Sequence, residues 1–76
     1  MTEFEVFESK VTVENENCVT YGIIMRENGQ TAAVISDVCP DRAFTEGLAE
    51  KLQRLGVEKA CLLETVAEAV NGHYSL

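Results

Sequence analysis

Apolar and polar residues are distributed differently in the two halves of the chain. To about Val38 they alternate with the two-residue period of strands, and from about Asp41 to Gly72 they recur with the spacing of helices. Phe4-Glu5-Val6-Phe7 begins an extended run that resumes at Lys10-Val11-Thr12-Val13. Phe4 and Val6 share one parity, whereas Phe7, Val11 and Val13 share the other. One flat strand cannot place both sets on a single face, so a bulge or break is expected near Glu8-Ser9. Glu14-Asn15-Glu16-Asn17 is polar and turn-forming.

The next strand is expected from about Cys18 to Arg26, with Val19, Tyr21, Ile23 and Met25 on its apolar face. Asn28-Gly29 follows, a dipeptide that tolerates the positive φ angles of a type I′ turn. A two-residue loop there pairs Met25 with Ala32, Ile23 with Val34 and Tyr21 with Ser36. The same register sets Ile24 beside Ala33 and Gly22 beside Ile35 on the opposite face, which is therefore also apolar. Pro40 closes the sheet segment because it cannot donate a ladder hydrogen bond.

Asp41 is a candidate cap for the first helix, and Cys39 is the alternative if Pro40 is the first helical residue. Phe44, Leu48, Leu52 and Leu55 form a stripe, and Gly56 fits the left-handed position that ends the helix. A second helix is expected from about Glu58 to Val70. Leu63, Val66, Ala67 and Val70 match the i, i+3, i+4, i+7 template, with Leu62 widening the stripe. Asn71-Gly72 reads as its stop and residues 73–76 as a short tail. The predicted architecture is α+β, one domain over residues 1–72. An antiparallel meander of three or four strands is followed by an α-α hairpin packed on one face.

Three strings carry a resemblance: Tyr21-Gly22-Ile23, Val34-Ile35-Ser36-Asp37-Val38 and Leu62-Leu63-Glu64-Thr65-Val66-Ala67-Glu68. Together they resemble a family of small uncharacterised bacterial cytosolic proteins. In that family a Tyr-Gly-Ile strand leads to an Asp-Ile-Ser segment and a helix pair ending in an acidic helix. The similarity covers about residues 18 to 70. Cys39 stands where the family pattern has Ser, and Cys61 where it has His. The resemblance implies this fold and carries over no activity or site.

Composition changes the picture mainly through charge. Thirteen Asp and Glu against six Lys and Arg give a net charge of -7 over 76 residues. A field of that sign repels nucleic acid and anionic membrane and favours basic protein surfaces. The basic residues are scattered, with no patch for DNA or RNA. No apolar run approaches the ~18 residues that span a bilayer. The acidic start Met1-Thr2-Glu3-Phe4-Glu5 is not a secretory signal, so a cytoplasmic protein is expected.

Cys18, Cys39 and Cys61 are odd in number and widely spaced, as befits reduced thiols. Cys39, at the strand-to-helix junction, is the candidate for reactivity, because backbone N–H groups at a helix start stabilise a thiolate. Asp41 opposes that ionisation, and the only His is His73. A packing role is the stronger expectation for Cys39. No two of Cys18, Cys39, Cys61 and His73 have the short spacing of a zinc knuckle, and no Gly-rich loop joins a strand to a helix start. No catalytic residue, cofactor or metal is expected.

Two functional readings follow. In the first the protein is a self-associating binding module, a homodimer formed through Ile24, Ala33 and Ile35 on the open sheet face. In the second it is an acidic inhibitor or adaptor. Glu64 and Glu68, four apart on the second helix, would dock on a basic groove of a nucleic-acid-handling protein.

Overall fold

The computed structural model of the chain describes residues 1–74. Strands β1 (Thr2–Val13), β2 (Glu16–Glu27) and β3 (Gln30–Cys39) form an antiparallel meander in the order β1-β2-β3. Helices α1 (Arg42–Leu55) and α2 (Lys59–Tyr74) follow. This is the expected α+β arrangement, with three strands.

Both hairpins turn on two residues with positive φ. They are Glu14 (51°) and Asn15 (67°), then Asn28 (53°) and Gly29 (81°). Positive φ at both central positions suits the right-handed twist of the flanking strands. Pairing between β1 and β2 is unbroken from Thr2↔Glu27 to Val13↔Glu16. The bulge expected near Glu8-Ser9 is therefore absent. The two parities of β1 serve two faces: Phe4 and Val6 pack against the helix-covered core, and Phe7 stands on the other side over Gly22.

The bulge lies in β3 instead. Arg26 pairs with Thr31 as the turn dictates, but Met25 pairs with Ala33, Ile24 with Val34 and Ile23 with Ile35. The extra residue is Ala32, and it shifts the register by one. A one-residue slip exchanges the faces of a strand, so Ala33 and Ile35 pack against the core and Val34 points away, 56% exposed. The expected pairs Met25–Ala32, Ile23–Val34 and Tyr21–Ser36 are replaced. The physical gain is that Ala32, Ala33 and Ile35 all reach the core. A second irregularity separates Ile23↔Ile35 from Tyr21↔Cys39, with Asp37 at φ 54°. There the Thr20 hydroxyl donates to Asp37 Oδ1 (2.7 Å), so buried Thr20 is satisfied.

Asp41 caps α1: its Oδ1 accepts from the Phe44 N–H at 3.2 Å. Gly56 ends the helix at φ 64° with its N–H bonded to the Leu52 and Gln53 carbonyls. The buried face of α1 is Thr45, Leu48, Ala49 and Leu52. Leu55 is exposed, and Val57, beyond the turn, takes its place against the core.

Helix α2 is rotated from its expected setting. Leu62 (2% exposed) and Val66 are buried, Ala69 and Val70 pack beside them, and Leu63 is 68% exposed. Leu62, Val66, Ala69 and Val70 fit the i, i+4, i+7, i+8 stripe, a template the sequence offers beside the one through Leu63. Val19, expected on the core face, is exposed because the helices do not reach it. The helix also continues through Asn71-Gly72, so His73 is helical rather than part of a tail. His73 stacks on Phe44 (centroids 4.0 Å apart, 19° between planes), with Nε2 3.7 Å from Asp41 Oδ2. The end of α2 is thereby held against the start of α1. Ser75 and Leu76, also placed in the tail, lie outside the described residues.

Candidate interaction surface

The helices cover one face of the sheet and leave two surfaces bare. The first is the opposite face. Alternation from the paired register puts Glu5, Phe7, Ser9 and Val11 of β1 on it, beside Cys18, Thr20, Gly22, Ile24 and Arg26 of β2 and Val34 of β3. Arg26 organises its polar end: Nε donates to Glu5 Oε2 at 3.1 Å and Nη1 to Thr31 Oγ1 at 3.5 Å. The middle is apolar, with Phe7 lying on Gly22 and half-buried Ile24 beside exposed Val34.

The second surface is the outer edge of β1. The Gln53 side chain of α1 acts there as a short substitute strand. Its Nε2 donates to the Thr2 carbonyl (2.6 Å), and its Oε1 accepts from the Phe4 N–H (3.0 Å). Backbone groups of alternate residues point the same way along a strand. Those of Val6, Glu8, Lys10 and Thr12 therefore also face outward, past the reach of Gln53. Between this edge and α1 lies an open groove of about 710 Å³. Phe4, Val6, Tyr21 and Ala49 give it apolar lining, and Glu8 and Glu50 stand among its charged residues. Arg42 and Glu46, also on its wall, pair with each other at 2.8 Å.

β3 pairs with β2 only from Tyr21 to Glu27. Residues 9–13 and 16–20 thus extend beyond the β3 ladder as a two-stranded arm, tied to β3 at its base by the Thr20–Asp37 bond, with Val13 and Val19 exposed. Such a ribbon is marginal alone and gains from a further partner.

Of the predicted contact residues, Ile24 is on the open face. Ala33 and Ile35 are not, because the bulge at Ala32 turns them into the core. Glu64 and Glu68 are exposed on α2, away from the groove, whose walls are β1, β2 and α1. Cys39 is buried with Sγ accepting from the Asp41 N–H (3.4 Å), whereas Cys18 and Cys61 are exposed free thiols. Burial of Cys39 fits the packing role. Among the described residues no group of three His, Cys, Asp or Glu side chains could hold a metal ion, and no helix is long and apolar enough to cross a membrane. Sequence reasoning missed the groove and the role of Gln53, since Thr2 and Phe4 lie 51 and 49 residues away from it. Comparison with family models, with curated proteins and with solved structures returns no match to the chain.

Proposed function

We propose that this chain is an acidic protein-binding module that self-associates through the side of its sheet that the helices leave bare, and that it acts by binding rather than by turnover. The observation that carries this reading is the continuity of the bare surface. Apolar Phe7, Ile24 and Val34 on the open face run into an unpaired β1 edge and a projecting arm. Apolar surface and open strand edges are both features that association removes from water. Light scattering across a concentration series tests it. A concentration-dependent dimer supports self-association, and a monomer up to about 1 mM, weaker than about 4 kcal/mol of binding, overturns it.

Helix α2 supports a second reading, docking on a basic surface. Glu64 and Glu68 are exposed beside exposed Leu63. An exposed apolar side chain on the same helix as two exposed carboxylates suits a basic protein groove. Capture of a partner from lysate that fails in high salt and with Glu64→Lys/Glu68→Lys supports it, and capture indifferent to both removes it.

A further inference from the structure

We infer that the self-association proposed above is an antiparallel pairing of the β1 edges of two copies, with the two-fold axis at Ser9. The inference rests on that self-association and specifies its contact. The backbone groups that face outward belong to even-numbered residues, and Gln53 already occupies those of Thr2 and Phe4. The open length is Val6 to Thr12.

Charge selects the register. With the axis at Ser9, Glu8 of each copy faces Lys10 of the other, twice by symmetry, and Val6 faces Thr12. Moving the axis to Glu8 sets Glu8 against Glu8, and moving it to Lys10 sets Lys10 against Lys10. Like charges directly opposite destabilise a strand pair and opposite charges stabilise it. The same register satisfies the other face, where Phe7 of each copy meets Val11 of the other, an aromatic–β-branched pair. Lys10 of the second copy also enters a groove lined by Glu8 and Glu50, neither of which has an ion-pair partner among the described residues. The product is a continuous six-stranded sheet in which the β1 edges of both arms are paired.

The experiment is a charge swap read by sedimentation equilibrium. Glu8→Lys alone and Lys10→Glu alone each place like charges opposite, and each should weaken the homodimer about tenfold or more. Mixed together, the two variants should form a heterodimer, because Lys at 8 then faces Glu at 10 and Lys10 faces Glu8. Both positions are exposed, and circular dichroism confirms that each variant folds. In a Cys18→Ser/Cys61→Ser background, Ser9→Cys should give a disulfide-linked dimer on mild oxidation. Ile24→Asp, on the open face but outside the paired edge, should weaken the dimer less than either charge reversal does. A wild-type dimer that ignores both reversals, or that Ile24→Asp weakens more than they do, overturns the edge pairing while leaving self-association standing. A wild-type chain that stays monomeric overturns both.

Discussion

The ring of Phe7 occupies the space that a side chain at position 22 would need. A Cβ built on Gly22 would stand 2.6 Å from Phe7 Cε1 and 2.5 Å from the Ile35 carbonyl oxygen. Gly22→Ala should therefore destabilise by about 1–3 kcal/mol, as overpacking does. Pairing it with Phe7→Leu should recover only part of the loss, because the Ile35 carbonyl is backbone and stays. Urea denaturation of the single and double variants measures both, and a neutral Gly22→Ala would refute the close approach.

Leu62 and Leu63 are neighbours with opposite fates. Leu62→Ala should cost about 2–5 kcal/mol, enough to unfold much of so small a domain. Leu63→Ala should fall within about 0.5 kcal/mol of the parent, because its side chain is exposed. Leu52→Ala, at a residue with no exposed surface, should behave like Leu62→Ala. Equal shifts at 62 and 63 in denaturation midpoint would show that α2 is rotated differently.

Gln53→Ala should free the start of β1 from α1. The net loss should be about 1–2 kcal/mol for two exposed hydrogen bonds. Gln53→Glu should also lose, since a carboxylate can accept from the Phe4 N–H but repels the Thr2 carbonyl. Amide hydrogen exchange at Phe4 reads the bond directly: it should accelerate in Gln53→Ala and keep more protection in Gln53→Glu.

Turns give effects of both signs. Gly29→Ala and Gly56→Ala should each cost about 1 kcal/mol, because both residues hold positive φ. Glu14 holds φ 51° without being Gly, Asn or Asp. Glu14→Asn should therefore stabilise by roughly 0.5 kcal/mol. Thermal melts of the three variants should move down, down and up.

The sequence announced most of the local structure. Asn28-Gly29, Asp41 and Gly56 each sit where backbone chemistry demands, and each is read from one or two residues. Faces were harder. The α2 stripe can be drawn through Leu62 or Leu63, and only packing against β3 decides between them. The Ala32 bulge leaves no local mark, because Ala-Ala fits either register, yet it moves Ala33 and Ile35 across the sheet. The parity change in β1 was visible, but its meaning was two apolar faces rather than a broken strand. Of the bare surface, Ile24 was identifiable from alternation. The β1 edge was not, because its boundary is drawn by Gln53 from another element.

The arm formed by residues 9–13 and 16–20 divides β2 into two mechanical regimes. From Tyr21 onward β2 has backbone ladders on both sides, whereas before it only the ladder to β1 is present, Thr20 being tied to β3 by its side chain alone. Local opening therefore need only break one ladder in the first half, while the second half opens with the whole domain. Along one continuous strand, solvent should reach the amides near Cys18 through brief unzipping from the Glu14-Asn15 turn, and those near Ile23 only through global unfolding.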